Sequence, residues 1–157
     1  MKRITIAVLL AGSLLAATAA AEEKRTSMNE RASGTFEVKV APVAEEGRFP
    51  RMTLDKGFSG ELEGTSSGEM MSVEGTVEGS AAYVAIERVT GTLRGRKGSF
   101  SLVHNGTMRK GGDFRLEIQV VPDSGTGELK GLTGTMKIII EGGKHSYQFD
   151  YTIEPEG

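Results

Sequence analysis

Residues 120–134 read Val-Val-Pro-Asp-Ser-Gly-Thr-Gly-Glu-Leu-Lys-Gly-Leu-Thr-Gly and place a corner between two runs of strand-forming residues. The first strand is expected to end at Val121, because Pro122 fixes its own φ and the Asp-Ser-Gly that follows favours a turn. The glycines then lead into the β-branched run 136–140 instead of a helix N-terminus, so this segment is not a phosphate-binding loop. The corner therefore indicates strands on both sides.

The composition fits one domain of short strands and tight turns. The chain has 157 residues, with 22 Gly and no Cys or Trp, and such a chain suits a compact all-β domain. The absence of Cys excludes disulfides, thiolate metal sites and Cys nucleophiles. Two histidines without acidic residues at ligand spacing give no metal site, and we expect no cofactor.

The N-terminus has the pattern of a secretory signal peptide. Two basic residues precede the apolar run 4–17, and the small residues up to Ala21 offer a cleavage site. The run is shorter than the roughly 20 residues of a membrane-spanning helix. We assign residues 1–21 to the signal and expect a periplasmic or secreted protein with no membrane association after cleavage. An uncleaved N-terminal anchor is the alternative.

The mature chain divides into a polar leader, residues 22–32, and one β-barrel domain, residues 33–154. The leader has no apolar period and is expected to be flexible. Loss of Lys2 and Arg3 with the signal leaves 17 basic against 21 acidic residues, a net charge of −4. This balance does not favour nucleic acid as a partner.

Alternating apolar and polar residues predict about eight antiparallel strands in hairpin order. Residues 58–62 read as one alternating set, Thr65-Ser66-Ser67 reads as a turn, and the run 81–86 is apolar on both faces, as in a central strand. No segment after the signal has a helical period longer than a turn. The pattern is that of a meander closing into a barrel.

Two hairpins near the C-terminus have a predictable register. A Gly142-Gly143 turn opposes Ile140 to His145 and continues with apolar pairs on one face. The run 114–120 matches the preceding strand only if Ile118 faces His104 and Val120 faces Leu102, which requires a three-residue loop or a bulge near Gly106.

A third hairpin carries the candidate site. With a two-residue Gly95-Arg96 turn, Glu87 faces His104 on an otherwise apolar surface. A shift of one residue would place the two side chains on opposite faces. On a shared face, the pair could exchange a proton with a ligand, so both are candidate catalytic residues. The alternative is a buried polar pair that fixes the strand register. The candidate ligand-binding residues are Tyr83, Glu87, Phe100, Leu102, His104 and Tyr147.

Six short motifs follow one another along the mature chain: Phe58–Gly64, Ser67–Met70, Gly79–Ala85, Gly98–Phe100, His104–Met108 and Val121–Leu129. Together they resemble a bacterial family of unknown function with a small β-barrel, from about Gly34 to Tyr151. The resemblance implies an eight-stranded antiparallel barrel with a lumen, similar to the allene oxide cyclase fold. It implies no established activity, and no motif shared with the plant cyclases assigns their catalytic residues here.

Three functions are compatible with this reading. The barrel could bind a small, partly apolar molecule in its lumen, act on such a molecule as a cofactor-free isomerase or cyclase, or serve as a structural or partner-binding barrel with a filled lumen. Copies of the chain could also associate through the outer face of Ala82, Val84 and Ile86.

Overall fold

A computed structural model describes residues 29–44 and 47–154. It contains eight strands and a single turn of 3₁₀ helix at Gly127–Leu129. The predicted signal peptide and most of the predicted leader lie outside the described residues. The strands are β1 Glu30–Pro42, β2 Arg51–Gly60, β3 Leu62–Glu74, β4 Ala81–Leu93, β5 Arg96–Arg109, β6 Asp113–Val120, β7 Leu132–Glu141 and β8 Lys144–Ile153.

The eight strands form a closed antiparallel meander. Each strand pairs with the next along the chain, and β1 pairs with β8 to close the barrel. The predicted fold class, an all-β eight-stranded antiparallel barrel, is therefore confirmed. Closure leaves no free edge strand, although β6 and β7 pair only at Gln119 and Thr135.

The barrel begins earlier than the sequence suggested. β1 starts at Glu30, within the predicted leader, and Ala32 is fully buried in the core. Arg31 faces outward and pairs with Asp150 of β8, whereas Glu30 accepts a hydrogen bond from the Tyr151 hydroxyl at 2.9 Å. Because Ala32 is the only apolar residue at the start of β1, the local sequence shows no alternation of apolar and polar residues. The start of the strand is instead stabilised by its pairing with β8.

Two predicted registers are confirmed. Across the Gly142-Gly143 turn, Ile140 faces His145, and the pairs continue as expected to Met136 and Phe149. β5 and β6 pair Ile118 with His104 and Val120 with Leu102. The connection between them is the three-residue loop 110–112, so no bulge is required near Gly106.

The predicted β4–β5 register is wrong by two residues. The turn residues are Arg94 and Gly95, both with positive φ, 46° and 83°, as in a two-residue type I′ hairpin turn. Glu87 therefore faces Leu102, and His104 faces Ala85. A shift of two residues preserves the face of every side chain, so Glu87 and His104 still point to the same side of the sheet.

The β2–β3 region also differs from the prediction. Residues 58–62 are not one strand, because the chain reverses at Glu61 between Gly60 and Leu62. Residues 65–67 lie inside β3 instead of forming a turn. Serine and threonine favour turns on average, but here their backbones pair with β2 and β4 on both sides.

One end of the barrel is sealed. The segment between β6 and β7 folds across this end and inserts Leu129, which is 1% exposed, among apolar side chains of the interior. Thr126 hydrogen-bonds through its backbone N–H to Ser99 on β5. The surrounding buried residues include Leu62, Leu93, Phe100, Leu132, Phe149 and Tyr151.

The other end is open. Four large apolar side chains occupy inward-facing positions there and are exposed by 45–63%: Val40, Met108, Phe114 and Ile140. We call these four residues the rim. Because their strand phase is that of the buried core, the barrel resembles a cup with an apolar rim.

Two further expectations concern association of copies of the chain and the membrane. Val84 and Ile86, on the outer face of β4, are 49% and 62% exposed, so association of copies through this face stays a prediction. Within the described ranges, the structure contains no helix with the length and apolar character needed to cross a bilayer.

Gly98→Ala is expected to destabilise the sealed end. A Cβ at Gly98 would overlap the carbonyl oxygen of Thr126, which is backbone and cannot move aside cheaply. We expect a loss of about 1–3 kcal/mol in the free energy of unfolding, measured by urea denaturation. The matched control is Gly57→Ala, also in a strand, where a Cβ would meet no atom within 4 Å. Equal effects of the two changes would contradict the proposed packing of the 121–131 segment.

Candidate functional site

The predicted pair meets inside the barrel. His104 Nε2 lies 2.8 Å from Glu87 Oε1, and both side chains are buried. They come from neighbouring strands, with Glu87 on β4 and His104 on β5, and they are offset by two residues in the observed register. The contact is therefore diagonal across the two strands and not between directly opposed residues.

Two further residues complete the cluster, and the sequence analysis missed both. Lys56 Nζ on β2 donates to Glu87 Oε1 at 2.6 Å, and Ser66 Oγ on β3 donates to Oε2 at 2.5 Å. The cluster of Lys56, Ser66, Glu87 and His104 thus draws on four consecutive strands. The alternation Leu54, Lys56, Phe58 already placed a lysine on the apolar face of β2, and this signal could have identified it.

A glycine allows the carboxylate to enter the cluster. Gly68 of β3 is paired with Glu87, and a Cβ at Gly68 would lie 2.6 Å from both the Cα and the Cβ of Glu87. Any other residue would push β3 and β4 apart at this point. The local backbone therefore fixes the distance between Glu87 and Ser66.

The charges in the cluster are almost completely shielded from water. The side chains of Lys56, Glu87 and His104 are 4%, 0% and 3% exposed. Burial alone would raise the pKa of Glu87, but the bonds from His104, Lys56 and Ser66 outweigh it and lower the pKa to about 2. Glu87 is therefore ionised at neutral pH and can only accept, so His104 Nε2 must carry the proton in their bond.

The ammonium group of Lys56 has aromatic neighbours as well as the carboxylate. Its Nζ lies 5.3 Å from the ring centroid of Phe36 and 5.9 Å from that of Phe58. Both distances fall within the range of cation–π attraction. The aromatic rings thus help to hold a positive charge inside an apolar barrel.

The second ring nitrogen of His104, Nδ1, has no hydrogen-bond partner among the described residues. Its only hydrogen bond runs through Nε2, and every buried side-chain nitrogen and oxygen among the described residues has a partner. Nδ1 therefore retains contact with solvent. The next inward-facing position of β5 towards the open end is Gly106.

Tyr83 lies between the cluster and the open end. It is half-buried, pairs with Gly106, and its ring occupies the space that a Cβ on Gly106 would fill. Its hydroxyl makes no hydrogen bond to any of the described residues. Burial, reinforced by the negative charge of Glu87, raises the pKa of Tyr83, so the hydroxyl stays protonated and can donate.

The other predicted ligand-binding residues lie in the packed core. Phe100 and Leu102 are 1% and 0% exposed. The Tyr147 hydroxyl accepts from the Leu62 backbone N–H at 2.8 Å and donates to the Leu62 carbonyl at 3.3 Å. These three side chains belong to the interior contacts, whereas His145 packs at the end of β8 with its ring 5.2 Å from that of Phe36.

Two other kinds of site are a metal centre and a surface concavity. No group of three or more His, Asp or Glu side chains in the described part of the chain could hold a metal ion. A concavity of about 1260 Å³ is lined by β1, β2, β3 and the turn between β7 and β8, and it includes the outward-facing Glu37, Lys39 and Asp55. Its lining also contains Lys56 and Ser66 of the cluster, but neither Glu87 nor His104.

Comparisons with known proteins agree with this architecture. A family model described as "Protein of unknown function (DUF3224)" matches residues 32–151. The crystal structure of a protein of unknown function from the same family, from Shewanella oneidensis MR-1, is 50% identical in sequence, with a TM-score of 0.74. The match covers 82% of this chain and 100% of that one. A search of curated proteins gives no match.

Acid is expected to remove the stabilisation that Glu87 provides. The pKa of Glu87 falls from 4.5 to about 2 on folding, so its contribution is complete above pH 4.5 and disappears as the pH falls towards 2. This contribution is about 3 kcal/mol. In urea denaturation at a series of pH values, the stability difference between wild type and Glu87→Gln should shrink with acid. A difference independent of pH would contradict the ionised, hydrogen-bonded carboxylate.

Removal of Lys56 alone should lower the free energy of unfolding strongly, because it leaves the charge of Glu87 buried and unpaired. Lys56→Met leaves a buried carboxylate without its cation and is expected to cost about 3–5 kcal/mol. The double variant with Glu87→Gln should lose less than the sum of the two single losses, because no unpaired charge remains.

The control for this cycle is Arg31→Met, which breaks an ion pair whose side chains are 62% and 40% exposed. We expect a loss below about 1 kcal/mol. Strict additivity of the Lys56 and Glu87 changes would show that the two groups do not interact.

Proposed function

The chain belongs to the DUF3224 family of proteins of unknown function, and we propose that it binds a small, partly apolar molecule in the open half of its barrel. One observation carries the proposal: the rim presents exposed apolar side chains at inward-facing positions, above a buried polar cluster. Soluble proteins rarely leave such side chains together at the entrance of a concave surface without a binding role.

The space above the cluster supports entry of a ligand. The residues next towards the open end from Glu87 and His104 are Ala85 and Gly106, the two smallest kinds of side chain. The ring of Tyr83 lies against Gly106. A ligand that displaces or packs against this ring would reach the free nitrogen of His104.

Few polar groups remain available to a ligand, because most groups of the cluster already have hydrogen-bond partners. Lys56 and Ser66 both donate to Glu87, whereas His104 Nδ1 and the Tyr83 hydroxyl have no partner among the described residues. Apolar walls with one or two convergent polar groups are typical of small-molecule sites. The rim would contact the apolar part of the ligand, and His104 and Tyr83 its polar group.

A second candidate function is proton transfer, as in a cofactor-free isomerase or cyclase. The bond from His104 Nε2 to Glu87 fixes the ring and leaves Nδ1 as an acceptor facing the ligand space, an arrangement common to general bases. Turnover that disappears in His104→Gln while binding persists would favour this function over simple binding.

We also propose that the protein acts after export. The mass of the protein recovered from the periplasmic fraction tests cleavage after residue 21.

Loss of the apolar rim is expected to weaken binding of an apolar probe. The double variant Phe114→Ser with Ile140→Ser should reduce the affinity for Nile red about tenfold, measured by fluorescence titration. Phe114 and Ile140 are 54% and 63% exposed, so neither change opens the core.

The matched control is the double variant Val84→Ser with Ile86→Ser. These two residues are 49% and 62% exposed on the outer face. We expect it to bind the dye as the wild type does. A larger effect of the outer pair would move the site to the outer face. A wild type that binds no dye would instead favour a structural or partner-binding barrel.

A further inference from the structure

The charges of the buried cluster restrict what kind of ligand the open half can accept. With a neutral imidazole, Lys56 and Glu87 cancel, and the cluster has no net charge. With His104 protonated, the cluster carries one positive charge. Because an uncompensated charge is costly in an apolar interior, the sum of cluster and ligand should be close to zero.

The charges already present disfavour a cationic ligand. Both oxygens of Glu87 already accept hydrogen bonds, Oε1 from Lys56 and His104 and Oε2 from Ser66. A ligand ammonium group that approached the carboxylate would lie near the ammonium of Lys56. It would add a second positive charge against one negative charge.

The groups left without partners favour an anion. A protonated His104 donates from Nδ1, and the Tyr83 hydroxyl donates a second bond from the adjacent strand position towards the open end. Two donors on neighbouring strands, beside the positive charge of Lys56, suit a carboxylate or a similar oxyanion. The titratable groups that face His104 are Glu87 and Tyr83 on β4 and, through Glu87, Lys56 on β2; its β6 partner is the apolar Ile118.

We propose that the ligand is an apolar molecule with a single acidic group, bound as a monoanion to protonated His104 and to the Tyr83 hydroxyl. This inference rests on the proposed binding function. When the neutral acid enters, its O–H bond breaks and an N–H bond forms at His104 Nδ1. When the anion enters, His104 takes the same proton from solvent. The ionised Glu87 stabilises the imidazolium, and the positive charge of Lys56 balances the negative charge of Glu87.

The test compares ligands that differ only in their polar group. Isothermal titration calorimetry at about pH 8 would use 2-naphthoate, 2-naphthylmethanol and 2-naphthylmethylamine, with octanoate, 1-octanol and octylamine as a second set of different shape. We expect the carboxylate of at least one set to bind about tenfold more tightly than its alcohol or amine. Titration in phosphate and in Tris should reveal uptake of about one proton per bound carboxylate.

Two variants locate the proton. His104→Gln should abolish proton uptake and weaken carboxylate binding about tenfold, and Tyr83→Phe should weaken it while retaining the uptake. His145→Gln, which changes the only other histidine, should retain the uptake. If His104→Gln does not fold, the wild-type comparison of carboxylate, alcohol and amine still decides the ligand class.

The possible failures are distinguishable. Binding of the alcohol or the amine as tightly as the carboxylate would overturn the anionic ligand but leave the binding function intact. Carboxylate binding without proton uptake would exclude His104 as the proton acceptor. If none of the six molecules binds, both the ligand class and the proposed function fail.

Discussion

The interior of this barrel depends on the compensation of one carboxylate. Glu87 is fully buried, and without partners its charge would oppose folding by several kcal/mol. Lys56, Ser66 and His104 remove that penalty from three different strands, at distances of 2.5–2.8 Å. The bonds require registers of β2, β3, β4 and β5 that keep all four side chains on the inner face, so the cluster disfavours a shift of any of these strands by one residue.

The cluster also marks a boundary along the barrel axis. On one side, Leu129 and its neighbours fill the lumen, as expected for a small eight-stranded barrel. On the other side, the next positions of β4 and β5 are Ala85 and Gly106, and the rim beyond them is exposed. The same strands therefore provide a rigid base and an accessible half, and the polar groups lie where the two halves meet. This placement allows one group, His104, to belong to the buried network and still contact the open space.

Much of the fold was predictable from local patterns, whereas much of the site was not. The Gly142-Gly143 hairpin has one reasonable turn centre, so its register followed from the sequence. The β4–β5 hairpin has glycines at positions 91, 95 and 98, and local sequence could not choose among them. Lys56 was missed because lysine is rarely buried, and Ser66 was missed because its neighbours resemble a turn. Both acquire their roles only from Glu87, through contacts that close over more than 20 residues of sequence.

Native mass spectrometry of the mature protein, after incubation with the small-molecule extract of its own cells, is the decisive test of a ligand site in the barrel. We expect one additional small molecule per chain, identifiable as an acid with an apolar body and absent when Phe114 and Ile140 are both changed to Ser. Detection of the bare chain alone, or of the same adduct in the rim variant, would contradict a ligand site in the open half of the barrel.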